Sequence, residues 1–241
     1  MASRKDQKAE LRREREEREA AAKAAERRRR LIGYAAGAAV VLAALIVAGV
    51  LLASGGDDGG GNGGGGGGDV LPSDGEVPDQ KITDLDDAVK AAGCRLQSVA
   101  AKSREHSETL SEKIAYDTKP PTSGKHYNTP AEDRAYETAP TPQELVHSLE
   151  HGRVIVWFKK DLPRDERANL KALFDEDEYQ MILTPDTTGM TYALAATAWN
   201  ADPQPNGTGR LLGCPRFTPG VYDAIRTFKD EHRSNGPEAV P

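Results

Sequence analysis

Four of the five histidines in the chain, His106, His126, His147 and His151, fall within 46 residues. His147 and His151 stand four apart in a segment with helical periodicity, so their rings share a face and can converge on one ion. Glu144 lies on the same face one turn earlier. His126 follows Pro120-Pro121-Thr122-Ser123-Gly124, a stiff segment leading into a turn that glycine permits, which suits a loop built to hold a side chain in place. Clustered neutral imidazoles are donors for zinc, copper or nickel. The expected ligand set is His106, His126, His147 and His151, with copper or zinc as the ion. Four imidazoles close a tetrahedron and suit a structural or metal-handling role, whereas three leave a position open for water.

Two other readings compete. His147-Ser148-Leu149-Glu150-His151 fits H-x-x-E-H, in which the histidines hold zinc and Glu150 acts as the general base of a hydrolase. Against it, the helix ends at Gly152 and no later helix carries an evident third ligand. In the third reading the histidines are structural: His151 favours the helix C-terminal dipole, His147 is a hydrogen-bonded core residue, and His106 sits on the surface in a polar stretch. The chain is then a non-enzymatic interaction module of the cell envelope. Met181 and Met190 are thioether donors for Cu(I) or simply core. His232, on the charged side of the last helix, is expected at the surface. No phosphate-binding glycine loop and no Gly-x-Ser-x-Gly elbow occurs, and the pattern favours binding over turnover.

The elements that must position these residues can be read from periodicity. Leu85, Ala88, Val89 and Ala92 have helical spacing and stop at Gly93; residues 94–99 read as a strand. Thr141-Pro142-Gln143-Glu144 is a capping box with proline at the first helical position, and Gly152 closes that helix. The apolar run at 153–158 predicts a buried strand. Helix is expected over 163–174, with Leu170, Leu173 and Phe174 inward, and strands over 179–183 and 192–199. A last helix starts at Thr218-Pro219, with the stripe Val221, Tyr222, Ile225 and Phe228. The resulting class is α+β, a small mixed sheet with packed helices in an order compatible with a thioredoxin-like fold. The chain lacks Cys-x-x-Cys, so thioredoxin chemistry is not implied.

The rest of the chain speaks to location. Its 241 residues carry a net charge of −6, with 37% apolar and 5% aromatic residues. Residues 1–30 hold 12 Lys/Arg against 7 Asp/Glu and form a charged cytoplasmic helix; the remainder sums to −11, which argues against nucleic-acid binding. Residues 31–53 contain no charge and as a helix cover about 35 Å, enough for one membrane crossing. The basic run Arg27–Arg30 before this span and Asp57 and Asp58 after it place the N-terminus inside and the rest outside the cell membrane. A cleaved signal peptide is the alternative, with an unusually long apolar region. Gly33 and Gly37 would allow a weak homodimer through the span. Residues 54–68 are a glycine-rich flexible linker, and 69–241 form the extracytoplasmic globular domain. All 15 prolines lie there, so long irregular stretches are expected. Cys94 and Cys214, the only cysteines, are both outside, which favours a disulfide over free thiols or a metal-binding pair.

The strings PPTSGKHY (120–127), LVHSLEHGRVIVWF (145–158), TAWN (197–200) and CPRF (214–217) resemble the bacterial family called domain of unknown function 3105, over most of residues 90–235. The resemblance implies an envelope protein, typically membrane-anchored, without an established activity. Carried over residue by residue, it singles out His126, His147, Glu150, His151 and Gly152, with His106 upstream.

Overall fold

The run Val154–Phe158 is apolar throughout, a pattern a strand carries when both of its faces are covered. In the computed structural model, which describes residues 71–238, this run is β4 (Val154–Phe158) and every residue of it is buried. It lies inside a five-stranded sheet with β1 (Arg95–Ala100), β5 (Met181–Pro185), β6 (Leu194–Asn200) and β7 (Thr208–Cys214), in the order β1-β7-β6-β4-β5. β4 and β5 are parallel and the other neighbours antiparallel. Two further strands of two residues each, β2 (His106–Ser107) and β3 (His126–Tyr127), pair apart from this sheet. The mixed α+β class is as expected.

The period-two alternation of the strands divides the core into two layers. Val154, Val156, Phe158, Leu183, Ala196 and Leu212 face one side, against α1 (Leu85–Ala92), α3 (Arg164–Asp175) and α4 (Val221–His232). Ile155, Trp157, Ile182, Trp199 and Leu211 face the other, against Leu145, Val146 and Leu149 of α2 (Pro142–Glu150). Across that second face the Trp157 indole N–H donates to Thr197 Oγ1 at 2.8 Å. The expected inward stripes of α3 and α4 are buried, and Met181 and Met190 pack in the two apolar layers.

α2 begins as its sequence demands. Thr141 Oγ1 accepts from the Glu144 backbone N–H, Glu144 Oε2 accepts from the Thr141 backbone N–H at 2.9 Å, and Pro142 sits in the first turn. Cys94 and Cys214 form a disulfide spanning 120 residues. It ties the edge strand β1 to β7, and closing so long a loop contributes about 4–5 kcal/mol in the chain-entropy model.

β7 has no counterpart among the expected elements. Its sequence, Thr-Gly-Arg-Leu-Leu-Gly-Cys, lacks clean alternation because Gly209 and Gly213 stand where side chains would. A Cβ at Gly209 would collide with Thr122, and one at Gly213 with the Tyr192 ring, so these glycines let loop and aromatic ring close onto the sheet. Among the described residues no helix is long and apolar enough to cross a membrane. The proposed span 31–53, with Gly33 and Gly37, and the segments 1–30 and 54–68 lie outside the described residues.

His232 is not at the surface: it is only 5% exposed. It continues the stripe Val221, Ile225, Phe228 by one more four-residue step, its ring 4.5 Å from that of Phe228. Its Nδ1 accepts from Asn200 Nδ2 at 3.4 Å, which requires a neutral ring. Burial, with the Arg210 charge nearby, brings its pKa down to about 4. The unfolded chain, with a histidine near 6.5, therefore takes up this proton first on acidification. Stability from this group is present above pH 6.5 and lost as pH falls to 4, about 3 kcal/mol in all. Urea unfolding between pH 7.5 and 4.5 should show a shallower acid loss in His232→Gln than in the parent; equal slopes would refute the assignment.

Candidate metal centre

The loops between β1 and α2 bring the first two histidines together through a ladder too short to see in the sequence. β2 and β3 are parallel, with His106 opposite His126 and Ser107 opposite Tyr127. Adjacent strands run about 4.8 Å apart, and the two imidazole centroids are 4.5 Å apart. The His126 ring stands edge-on to Trp199 of β6, at 5.9 Å. Its Nδ1 lies 2.8 Å from the Gly124 carbonyl. A carbonyl can only accept, so the proton is on Nδ1 and Nε2 faces the interior. His147, on the middle turn of α2, is held the same way: its Nδ1 donates to the Tyr127 carbonyl at 2.7 Å. The rings of His106, His126 and His147 form a triangle with centroid separations of 4.5, 4.9 and 4.8 Å.

Glu150 completes this group. It is the last residue of α2, three after His147 and so on the same face, and it is fully buried. Oε1 accepts from Arg104 Nε at 2.6 Å, while Oε2 lies 3.0 Å from His126 Nε2 and 3.6 Å from His106 Nε2. Despite that 3.0 Å approach, His126 Nε2 and Glu150 Oε2 are both buried without a hydrogen bond; they are turned toward a shared space rather than in line with each other. One donor atom from each of His106, His126, His147 and Glu150 lies within 4.8 Å of the others. Bonds of 2.0–2.1 Å in a tetrahedron put neighbouring donors about 3.3 Å apart, so the group could hold a metal ion after small side-chain shifts.

His151 lies on the other side of His147. The two Nε2 atoms are 3.0 Å apart, and His151 groups with His147 and Glu238 instead of with His106 and His126. Gly152, at φ +83°, turns the chain out of α2 toward β4 in a conformation other residues resist. Of the residues the sequence singled out, His106, His126, His147 and Glu150 thus share one space and His151 adjoins it. Arg104 and Glu238, and the carbonyls of Gly124 and Tyr127, had no place in the sequence reading. The i, i+3 spacing of His147 and Glu150 and the i, i+2 spacing of Arg104 and His106 were the available clues.

Electrostatics hold the group in a ligating state. Burial pushes the Glu150 carboxyl up, but the His126 ring, when it carries a second proton on Nε2, and the Arg104 guanidinium outweigh it and hold the group down at about 2. Burial, aided by the three neighbouring imidazoles and opposed by the Tyr127 carbonyl, brings His147 to about 4. Burial also lowers His151. At neutral pH the carboxylate is ionised and these imidazoles are neutral, the protonation state that metal binding requires.

Fold and site together define an α+β domain with a histidine and glutamate cluster, buried at His126, His147 and Glu150 and open to solvent at His106, that could hold a metal ion. The chain belongs to the family described as Protein of unknown function (DUF3105), which matches residues 106–239. That span contains both donor groups and starts two residues beyond Arg104. No curated protein and no solved structure matches the chain.

Breaking the Arg104–Glu150 pair should be costly even without metal, because it leaves a buried carboxylate without its guanidinium. In chelator-treated protein at pH 7, Arg104→Met should lose about 1–3 kcal/mol of unfolding free energy, the partial exposure of Arg104 moderating the cost. The depressed Glu150 pKa contributes stability above pH 4.5 that is lost as pH falls toward 2, so the deficit should narrow with acidification. Equal denaturation midpoints at pH 7 would contradict the pairing.

Proposed function

We propose that this protein is a membrane-anchored, extracytoplasmic metal-binding domain that holds one zinc or copper ion through His106, His126, His147 and Glu150. The observation that carries the reading is the pair of orphaned atoms, His126 Nε2 and Glu150 Oε2, buried and 3.0 Å apart. Two such atoms facing each other out of water need positive charge between them, supplied by a metal ion or by a second proton on the ring. Nδ1 bonds to backbone carbonyls are the usual outer support of metal-bound histidine, and His126 and His147 both have one. The ion would supply positive charge between these donors and fix the loop carrying His106 against α2.

With four protein donors around the ion, the reading favours metal handling or a structural role over turnover. In the hydrolase reading Glu150 needs a free oxygen to activate water. Here one oxygen accepts from Arg104 and the other faces His126 and His106, which supports a ligand role instead. The extracytoplasmic location is supported by the Cys94–Cys214 disulfide, a bond that persists in oxidising compartments, and by the charge distribution around residues 31–53. A thioredoxin-like sheet is supported by the βαβ unit β4-α3-β5 followed by antiparallel β6 and β7 and then α4; without a Cys-x-x-Cys, such a scaffold carries a different site.

Elemental analysis of the full-length chain, purified without a polyhistidine tag, tests the reading. About one equivalent of zinc or copper is expected, lost in His126→Ala/His147→Ala and in Glu150→Gln, with a lower melting temperature after chelation. No bound metal after exposure to both ions, together with melting indifferent to chelator, would overturn it in favour of an interaction module with structural histidines. Glu150→Gln with metal fully retained would remove Glu150 from the ligand set.

A further inference from the structure

The second donor group shares a residue with the first. His147 Nε2 lies 3.0 Å from His151 Nε2, which lies 3.5 Å from Glu238 Oε2, and one donor atom from each of the three residues falls within 4.8 Å of the others. These separations again suit donors around one ion of zinc or copper size. An Nε2 has a single lone pair, so His147 can serve only one ion at a time. The two groups are therefore two positions for one ion and not two independent centres.

The outer position is built by a close approach of the C-terminal segment to the end of α2. The Ser234 backbone N–H donates to the Gly152 carbonyl at 2.8 Å and that of Glu238 to the Glu150 carbonyl at 3.0 Å. Between them, Gly236 is packed so tightly that a Cβ there would collide with the Glu150 carbonyl and the Gly152 nitrogen. The Glu238 side chain, 45% exposed, is held beside His151 and reaches solvent, whereas His126 and Glu150 are fully buried.

Resting on the reading of the inner group as a metal centre, we propose that His147, His151 and Glu238 form an outer coordination position for the same zinc or copper ion, and that the ion passes between the two positions through His147, a ligand in both. In the exchange the bonds to His106, His126 and Glu150 break, those to His151 and Glu238 form, and the bond to His147 is kept. The charge of the ion is unchanged and water fills its remaining positions. Without the ion His147 Nε2 accepts a hydrogen bond from His151 Nε2–H at 3.0 Å; as the ion enters the outer position that proton passes to water and Nδ1 takes one up from water, so that Nε2 presents its lone pair.

The test uses the full-length chain and Zn2+. Stoichiometry is read by elemental analysis, affinity by competition with a chromogenic chelator, and loading and release by stopped flow into the same chelator. One zinc per chain is expected. His151→Ala and Glu238→Gln should keep the affinity within about threefold and slow loading and release together by about tenfold or more, by a common factor because the equilibrium is preserved. Unchanged rates, two zinc ions bound at once, or loss of binding in the outer variants would overturn the exchange position. Failure of the inner reading has a different signature: the parent chain binds no zinc, or His126→Ala keeps its full affinity.

Discussion

The carbonyls of Gly124 and Tyr127 accept the Nδ1 protons of His126 and His147, at 2.8 and 2.7 Å, and the geometry of the centre depends on these two bonds. A neutral imidazole has one donor and one acceptor nitrogen. Committing Nδ1 to the backbone leaves Nε2 as the lone-pair atom and fixes its direction. The carbonyls belong to the segment that carries His126 itself, so a single stretch of chain presents one imidazole and orients another. Without those bonds the rings could rotate and the cluster would be an ordinary set of polar side chains.

The fold supplies what this loop cannot supply for itself. Residues 101–141 contain little regular structure, and a two-residue ladder would not persist alone in water. Here it rests on the face of the sheet that a single helix covers. Trp199 backs His126, Leu145 and Leu149 anchor α2 to Ile155 and Trp157, and Gly209 admits Thr122 against β7. The three helices on the opposite face bury most of the other apolar layer, which leaves the first face free to carry a polar cluster.

Burial of Glu150 imposes an electrostatic requirement. A desolvated carboxylate is costly unless it is paired and hydrogen-bonded, yet Arg104 engages only Oε1. The other oxygen faces imidazoles rather than water. The site therefore has an ionised acceptor with one oxygen compensated by Arg104 and one turned to the His126 and His106 rings, in a domain that is itself acidic. Both features favour a cation over an anion or a neutral ligand.

Much of this was legible from local sequence. The capping box of α2, the two-faced strand β4 and the stripes of α3 and α4 each rest on interactions between residues close in the chain or on one repeating period, whereas the Cys94–Cys214 pair, 120 residues apart, followed from cysteine count and compartment. The choice of Glu150 over His151 as the fourth member of the inner group was not legible, because both lie on usable faces of α2 and only the path of the β2–β3 loop decides which one it meets. The same holds for Arg104 and Glu238, brought in from 46 residues before Glu150 and from the far C-terminal segment. His232 was misplaced because its charged neighbours Glu231 and Arg233 dominate the local composition, while the packing of α4 against the end of β6 extends the buried stripe by one turn. Short-range periodicity thus specified the helices and most strands of the main sheet, and the crowding of histidines most of the donors. Which donors share a space was decided by loop closure and burial, which act between residues far apart in the chain.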